Sequence, residues 1–406
     1  MDGNNQRQSA GPAKLVIVGG GAAGMFAAAV AAERHIPCVV IERKARLGSK
    51  VLMTANGRCN FTKDISPEQF LKDISRGGIA ARCAEFVAEA VRECPPRQIC
   101  RGFQSLGVRT KRMTDGRFFP ADEKAATIVH AFGDLLRDEE VPIVTNCPVK
   151  EIAAVKGGAA RFAVVANSFS ILAENVLLAT GGVSYPKTGS VGDGQRFAQA
   201  LGHKLVPYRP GLIGLETRDE KVTRLAGRRF EDGAARVFDA SGKAIFEYRG
   251  EIDCESFGLS GAAIYNAQRF IEHYERERGM GNVTAPCGWA RPMGKRPSRA
   301  KRVPRERGMG NGEWGTGVVV EASFNGMTVR VEKINPRPLK EAIVTLGGVD
   351  TREIDPHTMQ SKIVPGLYFA GEVMDIDGPT GGYNLTLAFA TARKAVASIA
   401  KKEKTP

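Results

Sequence analysis

The chain has 406 residues, of which 43% are apolar and 25% are charged, a composition that is ordinary for a soluble protein with two or three domains. Its net charge is +14, but residues 276–307 hold ten Lys and Arg against two Glu, so more than half of the excess lies in one segment. The eight cysteines form no CxxC pair and no metal-ligand spacing with the five histidines, which excludes a disulfide framework and a metal centre and predicts reduced cytoplasmic thiols.

The most informative stretch is residues 15–42. A short apolar strand at 15–18 leads into the glycine-rich turn 19–24, and an alanine-rich helix then precedes a second apolar strand at 38–41. Glu42 ends that second strand. These parts, in this order, predict a dinucleotide-binding βαβ unit.

Each glycine of the turn has a distinct predicted role. Gly19 permits the tight turn, Gly21 lets the backbone approach a pyrophosphate, and Gly24 lets helix and strand pack closely. The pyrophosphate is predicted to lie at the helix N-terminus, where free N–H groups favour an anion, and the carboxylate at position 42 to accept hydrogen bonds from the ribose. The predicted contacts here are Gly19, Gly21, Ala22, Ala23, Gly24, Glu42 and Arg43.

The same stretch imitates a membrane segment, because residues 15–32 carry no charge. Three consecutive glycines would be costly within a spanning helix, and the predicted helix has only about 12 residues. We therefore expect no membrane partner. The polar residues 1–13 are predicted to be a disordered lead-in.

The remaining pattern predicts a discontinuous α/β protein. An extended loop covers 45–60, helices are expected within 66–107 and 124–136, and separate strands are expected at 171–173 and 176–179. The predicted domains are a Rossmann-like part at 14–208 and 343–406, an inserted β-rich domain at 209–275 and 316–342, and a basic Pro/Gly-rich segment at 276–315.

The basic segment contains one repeat, since RERGMGN occurs at 276–282 and again at 305–311. Two copies do not make a solenoid, and a recent duplication is the favoured interpretation. Its charge and four prolines predict a mobile, protease-sensitive surface loop without which the Rossmann-like domain still folds.

Four blocks together carry a resemblance to a known family. They are the βαβ unit with GSKVLMTANGRCN at 48–60, LATGGVSYPKTG at 178–189, FGLSG at 257–261, and the C-terminal block that runs from GLYFAGE at 366–372 to Asn384. The chain resembles the BaiN-like flavoproteins, also called the aminoacetone oxidase family of FAD-binding enzymes.

The resemblance implies a resident FAD held by a two-part site, in which the C-terminal block returns to the N-terminal one. The N–H of Gly371 and the carboxylate of Asp375 are then expected at the ribityl and pyrophosphate region, and residues 381–384 at the pyrimidine edge of the flavin. The further expected cofactor contacts are Lys50, Asn56, Arg58, Cys59, Asn60, Val149, Thr180, Gly181, Glu372, Gly382, Tyr383 and Asn384. Family members also carry a helical cap, which is expected to be truncated or replaced here by the basic segment.

The predicted function is that of a cytoplasmic FAD-dependent oxidoreductase, which transfers a hydride or electrons between the flavin and a small organic substrate. Its electron donor or acceptor is left open, with oxygen and NAD(P)H both compatible. The alternative is a flavoprotein fold with weakened or lost catalysis that binds RNA through 276–311, and a third option is an enzyme acting on tRNA. No catalytic residue is assigned. His203 is expected to be structural and Cys59 to be a packed thiol. For Tyr185 and Tyr383, proton donation near the flavin and packing in the core are equally favoured.

Overall fold

The computed structural model describes residues 11–76, 79–279, 318–332 and 334–403. The chain forms two compact units: a Rossmann unit of Met1–Ile74, Cys83–Val206 and Gly348–Pro406, and an inserted unit of Ser75–Arg82 and Pro207–Gly347. The predicted boundaries at 208/209 and 342/343 lie within five residues of these. Most of the basic segment lies outside the described residues. The predictions that this segment is mobile and that it replaces the helical cap therefore also fall outside the described part of the chain.

The N-terminal half of the chain, up to residue 200, contains nine strands and six α-helices among its described residues. The strands are β1 (Ala13–Val18), β2 (Cys38–Ile41), β3 (Thr62–Lys63), β4 (Thr110–Arg112), β5 (Arg117–Pro120), β6 (Ile143–Val144), β7 (Val149–Ala154), β8 (Phe162–Ala166) and β9 (Ser170–Leu178). The helices are α1 (Ala22–Glu33), α2 (Pro67–Ile74), α3 (Ile79–Glu93), α4 (Pro96–Ser105), α5 (Ala125–Asp138) and α6 (Asp193–Ala200).

The later elements form the inserted unit and then complete the Rossmann unit. They are β10 (Leu205–Gly211), β11 (Leu215–Glu216), α7 (Glu220–Thr223), β12 (Arg229–Phe238), β13 (Ala244–Glu255), β14 (Gly258–Ser260), α8 (Ala262–Glu277), β15 (Val319–Phe324), β16 (Met327–Val331), β17 (Val344–Val349), β18 (Leu367–Phe369) and α9 (Tyr383–Glu403). Strands β10 and β17 pair where the chain leaves the Rossmann unit and returns to it.

The main sheet of the Rossmann unit has the order β6-β2-β1-β9-β8-β7, with β18 also paired to β9. Strand β1 is parallel to β2 and β9, and β18 is parallel to β9, whereas β7, β8 and β9 form an antiparallel meander. A second, three-stranded sheet has the order β3-β5-β4. This mixed α/β architecture confirms the predicted fold class.

The two strands predicted at 171–173 and 176–179 are one strand, β9. Its C-terminal half pairs with β1 and β18 and is buried, while its first residues pair with β8 and are partly exposed. The polar residues Glu174 and Asn175 interrupt the apolar pattern without interrupting the backbone ladder, so the prediction of two separate strands was wrong.

Helix α1 follows β1 after a turn and is nearly apolar throughout, because it is buried on most sides. It packs against α9 and α5, and Phe26 on α1 lies 4.9 Å from Phe389 on α9 between ring centroids. Phe103 and Phe132 extend this aromatic cluster. The helix that carries the glycine-rich turn is therefore anchored in the largest described core.

The inserted unit has its own antiparallel sheet, with the order β11-β14-β13-β12-β15-β16. Helix α8 packs on this sheet, and the unit has a separate apolar core. None of the helices in the described part of the chain is long and apolar enough to cross a bilayer.

Candidate dinucleotide site

The turn between β1 and α1 requires glycine at position 19. Gly19 has a φ of +106°, and a Cβ there would lie 2.5 Å from the carbonyl oxygen of Ala179. Its N–H donates to the carbonyl of Ile41 at 2.8 Å. The turn is thus held between the ends of β2 and β9.

Gly24 and Gly21 differ sharply in their surroundings. A Cβ at Gly24 would lie 1.8 Å from the carbonyl oxygen of Gly19, so only glycine lets α1 approach the turn. A Cβ at Gly21, by contrast, would meet no protein atom within 4 Å. Gly21 is also the N-cap of α1 and has no side-chain cap, and the first turn of the helix contains no acid. This open cradle at a helix N-terminus fits the pyrophosphate of a dinucleotide, with backbone N–H groups from Ala22 and Ala23 as its donors.

Glu42 lies at the end of β2 and is 8% exposed. Its Oε2 accepts from the N–H of Gly20 at 2.7 Å, and its Oε1 accepts from the N–H of Lys44 at 2.7 Å. Burial raises the pKa of this carboxyl, and the two backbone hydrogen bonds oppose that effect. Each carboxylate oxygen retains a second acceptor position, so Glu42 can hold the turn and still receive ribose hydroxyls.

The neighbourhood of Glu42 contains two further predicted contacts. Arg43 pairs with Asp193 at the start of α6, with 2.7 Å between Nη1 and Oδ2. The N–H of Cys147 donates to the carbonyl of Glu42 at 2.9 Å, and Val149 follows two residues later as the first residue of β7. Val149 therefore starts its strand two residues after a backbone contact to Glu42, the residue that is expected to bind the adenosine ribose.

The loop after β2 contains a short 3-10 helix, Val51–Gly57, with unusual backbone angles. Ala55, Asn56 and Cys59 have φ values of 49°, 55° and 59°, in the left-handed region that costs a non-glycine residue about 1–2 kcal/mol each. The rest of the Rossmann unit must hold this conformation in place. Strain of this kind concentrates at functional sites.

Two side chains of this loop that were expected at the cofactor make contacts within the protein. Cys59 is buried, and burial raises the pKa of its thiol to about 12, so it is a packed thiol and carries no thiolate at neutral pH. The Arg58 guanidinium pairs with Glu123 at 3.4 Å and lies 5.2 Å from the ring centroid of Phe119. Its Nε also donates to the carbonyl of Ala55 at 3.3 Å, so its partners lie in its own loop, in β5 and just after β5, and not in the glycine-rich turn.

The C-terminal block returns to this loop at the start of α9. In the amide orientation that satisfies its neighbours, Asn60 accepts from the N–H of Gly382 at 3.2 Å and donates to the carbonyl of Thr62 at 2.9 Å. The hydroxyls of Thr62 and Thr386 are 2.9 Å apart. Gly382 has a φ of +91°, and a Cβ there would lie 2.8 Å from the Cα of Thr62. The two halves predicted to form one site are therefore in direct contact.

A polar cluster joins three distant segments of the Rossmann unit. The Nζ of Lys50 donates to the Oγ of Ser184 at 2.7 Å and lies 2.8 Å from the Oε2 of Glu372. Ser184 is fully buried and lies 3.2 Å from the Oε1 of Glu372. Sequence reasoning placed Lys50 and Glu372 in the site but missed Ser184, although it lies in the quoted 178–189 block.

The loop after β9 also holds an unsatisfied polar atom. The Oγ1 of Thr180 is buried and has no hydrogen-bond partner in the described part of the chain. A buried hydroxyl without a partner is costly unless a ligand supplies one. The carbonyl of Gly181, in contrast, already accepts from the Nε2 of Gln195 at 3.0 Å.

Several expected contacts of the C-terminal block are occupied by the protein itself. The N–H of Gly371 donates to the Oγ1 of Thr391 at 3.0 Å, so this donor is already engaged within the protein, and its expected contact with the cofactor stays a prediction. The reason is that residue 371 starts a turn that packs on α9. The hydroxyl of Tyr383 donates to Asp73, and its ring stacks on Phe70. These contacts assign Tyr383 a packing role.

Two more predicted residues of this block shape its loop. The amide of Asn384 donates to the carbonyl of Gly378 at 2.8 Å and accepts from the N–H of the same residue at 2.9 Å. Asp375 is half-buried, and its N–H donates to the carbonyl of Val349 at 2.9 Å. Both residues therefore stabilise the segment that precedes α9.

The buried His203 has the contacts of a structural residue. Its Nε2 is 2.8 Å from the Oγ of Ser361, which also accepts from the N–H groups of Ile363 and Val364, and its Nδ1 is 3.3 Å from Glu353. Burial lowers the pKa of the imidazole, so the ring is neutral at pH 7. No group of His, Cys, Asp and Glu in the described ranges is arranged to hold a metal ion.

The fold and this site define a dinucleotide-binding flavoprotein of the Rossmann type. Residues 13–398 match the model of the HI0933-like protein Rossmann domain, and the chain belongs to this family. It is an FAD-dependent oxidoreductase, as predicted.

Similar proteins include the 3-dehydro-bile acid delta(4,6)-reductase of Clostridium scindens, which is 28% identical over 96% of this chain and 99% of that enzyme. The ribosomal RNA dihydrouridine synthase of Escherichia coli is 27% identical over 93% of this chain and 95% of its own length. Among solved structures, the 3-ketosteroid delta1-dehydrogenase of Sterolibacterium denitrificans is 14% identical, covers 96% of this chain and 99% of its own, and has a TM-score of 0.54. At this identity the likeness concerns the fold.

The ribose assignment of Glu42 yields the first prediction. Changing Glu42→Ala should weaken FAD binding by about 1–3 kcal/mol, because it removes the acceptor for both ribose hydroxyls and the N–H of Gly20. Glu42→Gln should lose less, since one oxygen remains. Titration of the cofactor-free protein with FAD measures both. Glu139→Ala, an exposed acid in the same unit, serves as the control; equal affinity of Glu42→Ala and this control would refute the assignment.

Gly21 and Gly24 provide a matched pair of substitutions. Gly21→Val should abolish measurable FAD binding while leaving the melting temperature of the cofactor-free protein within a few degrees, because its side chain enters open space. Gly24→Ala should instead lower that melting temperature or prevent folding, because its Cβ would collide with the Gly19 carbonyl. Thermal unfolding and FAD titration of both variants separate these effects. Retention of FAD by Gly21→Val would place the pyrophosphate elsewhere.

Proposed function

We propose that this protein is an FAD-dependent reductase that saturates a carbon–carbon double bond conjugated to a carbonyl group, in a small cyclic substrate. The observation that carries the proposal is the assembled site of the Rossmann unit, which provides an open dinucleotide cradle but no activated nucleophile. Its cysteine is buried with a raised pKa and its histidine is neutral and enclosed. The flavin supplies the hydride chemistry when it is bound.

The names of the two relatives support this reaction class. One is a reductase of a bile acid with delta(4,6) unsaturation and a 3-oxo group, and the other makes dihydrouridine from uridine. In both substrates the double bond that is reduced is conjugated to a ring carbonyl. The shared chemistry is a hydride added to one alkene carbon and a proton added to the other. We assign the same chemistry to this chain, with a small molecule as its substrate.

The protein's own part in this reaction is to bind, orient and hold the cofactor. The start of α1 would receive the pyrophosphate, Glu42 the ribose and the buried Thr180 hydroxyl a polar group of the cofactor. Lys50 orients the Glu372 carboxylate beside Ser184, so this acid would accept a cofactor hydroxyl without reorganisation. Such preorganisation is the main contribution that a protein makes to a flavin reaction.

A proton donor for the second alkene carbon is also needed. Of the two tyrosine candidates, Tyr383 is buried and engaged with Asp73. Tyr185 is half-buried, follows Ser184 directly and has a left-handed φ of 50°, which is rare for a bulky residue. We assign the proton transfer to Tyr185, because it directly follows Ser184 of the Lys50–Ser184–Glu372 cluster and backbone strain of this kind concentrates at functional sites.

The reaction is tested with the flavin reduced chemically under anaerobic conditions. A 3-oxo-4-ene steroid and a simple cyclic enone should each reoxidise the flavin and gain two hydrogens, as followed by absorbance and mass spectrometry. Uridine within RNA is tested in parallel. Reduction of RNA uridine alone would contradict the small-molecule substrate. If the reduced flavin is reoxidised when oxygen is admitted but by none of the conjugated carbonyl compounds, the proposed reaction itself is contradicted.

The assigned proton donor makes a separate prediction. Tyr185→Phe should lower kcat for enone reduction by about 10²-fold or more with FAD occupancy unchanged, since general acid catalysis contributes roughly that much. The matched control is Tyr368→Phe, which removes a buried hydroxyl from β18 in the core of the same unit. A loss of the pH dependence of kcat in Tyr185→Phe, absent in the control, is also expected. Unchanged turnover would show that the proton comes from elsewhere.

A further inference from the structure

Helix α8 of the inserted unit buries an unusual set of polar side chains. Its apolar residues pack on the antiparallel sheet of the same unit. Six of its polar residues are also at most 3% exposed: Asn266, Gln268, Arg269, Glu272, His273 and Glu275. Charged side chains are seldom buried so completely unless they are paired, so each of them needs a compensating contact.

Gln268 and Glu272 are one helical turn apart and are joined by a hydrogen bond. The Nε2 of Gln268 donates to the Oε1 of Glu272 at 3.1 Å and also to the carbonyl of Pro210 on β10 at 2.9 Å. All three residues belong to the inserted unit. The Gln268 amide therefore connects the acid on α8 to the backbone of β10.

Two oxygen atoms of this pair have no hydrogen-bond partner. The Oε1 of Gln268 and the Oε2 of Glu272 are both buried, and neither accepts a hydrogen bond from the residues that the structure describes. The Nη1 of Arg209 on β10 is 3.6 Å from this Oε2, which is longer than a hydrogen bond. Buried acceptors of this kind are costly, and two groups that only accept cannot satisfy each other.

The charged groups that act on Glu272 come from two elements. Glu275 on the same helix repels its negative charge, and Arg209 on β10 attracts it. Burial raises the pKa of the Glu272 carboxyl well above its ordinary value, and the charge of Glu275 raises it further, while Arg209 and the Gln268 amide oppose the shift. Strands β12, β13 and β14, which α8 also contacts, contribute apolar residues to the core that they share with the helix, among them Ala235, Ile252 and Leu259.

We propose that Glu272 holds a proton at neutral pH, forms a neutral acid–amide pair with Gln268, and acts as a pH-sensitive lock between α8 and β10. The Oε2–H of the acid donates to the Oε1 of Gln268, while the Nε2 of Gln268 donates to the Oε1 of the acid. One proton thus turns an acceptor into a donor and satisfies both buried oxygens. This proposal is independent of the proposed function, since neither residue belongs to the dinucleotide site.

Loss of that proton to solvent opens the lock. Both oxygens then lack a donor, and a new negative charge lies in a buried site that also contains Glu275. The acid binds its proton more tightly in the folded than in the unfolded state, so unfolding releases a proton at any pH between the two pKa values. The stabilisation is complete below the ordinary pKa of a glutamate and is lost as the pH rises through the raised value of the folded state.

The first test is hydrogen exchange of the α8 amides in the full-length FAD-loaded protein, measured as the pH is raised from neutrality. Below the folded pKa of Glu272, opening of α8 should become about tenfold more favourable per pH unit. The intrinsic exchange rate also rises about tenfold per pH unit, so the slowest amides should exchange about 100-fold faster per unit. In Glu272→Gln, which keeps the shape of the neutral acid, the same amides should exchange only about tenfold faster per unit.

The second test detects the proton directly. At pH 7 the infrared difference spectrum between the unaltered protein and Glu272→Gln should contain the carbonyl stretch of one protonated carboxyl group. Gln268→Met removes the amide that receives the proton, so it should shift this band while FAD stays bound. The matched control is Glu277→Gln, which changes an exposed acid of the same helix and should alter neither the band nor the exchange rates.

Three outcomes would overturn the proposal. The first is the absence of a protonated-carboxyl band at pH 7. The second is an equal pH dependence of exchange in the unaltered protein and in Glu272→Gln. The third is a band that Gln268→Met leaves unshifted, which would place the proton on another acid, such as Glu275. The Gln268→Met measurement decides the matter even if Glu272→Gln does not fold.

Discussion

The close approach of α1 to the turn at Gly19 is the constraint on which the dinucleotide site depends. With a Cβ at Gly24 only 1.8 Å from the Gly19 carbonyl oxygen, helix and turn can meet in this way only if residue 24 is glycine. This contact directs the N-terminus of α1 toward open space at Gly21. The dipole and the backbone donors of the helix then converge where an anion can bind, without any charged side chain.

Charged side chains support this arrangement from outside the cradle. The buried Glu42 carboxylate holds the N–H groups of Gly20 and Lys44, and Lys50 holds Glu372. A partly buried charge is costly unless it is paired or hydrogen-bonded, so each such contact ties its segment to a fixed position. In this way the β1–α1 turn, the loop after β2 and the block before α9 are held together, although this last block lies more than 300 residues from the other two in the chain.

The successful predictions concern features that short-range chemistry determines. The βαβ unit follows from an apolar strand, a glycine turn and an alanine-rich helix, and its geometry agrees with the role expected for Gly19 and Gly24. The failures concern groups whose partners lie far away in the sequence. The hydrogen bond from the Gly371 N–H to Thr391 could not be read from the local sequence, because this acceptor is 20 residues further along. The strand β9 was split because its pairing with β1, β8 and β18 outweighs the local polarity of Glu174 and Asn175.

The sequence by itself determined the fold class, the cofactor and the family, because glycine positions, apolar periodicity and short motifs are local properties that can be recognised without knowledge of the folded structure. The tertiary structure alone decided which polar groups remain available. It showed that Tyr383 and Arg58 are engaged elsewhere, that Ser184 joins Lys50 and Glu372, and that the Thr180 hydroxyl is buried without a partner. It also showed that Arg97 and Arg112, which belong to different elements, share the carboxylate of Asp64. The physical reason is that hydrogen bonding and burial depend on distances between segments, and only the folded chain sets those distances.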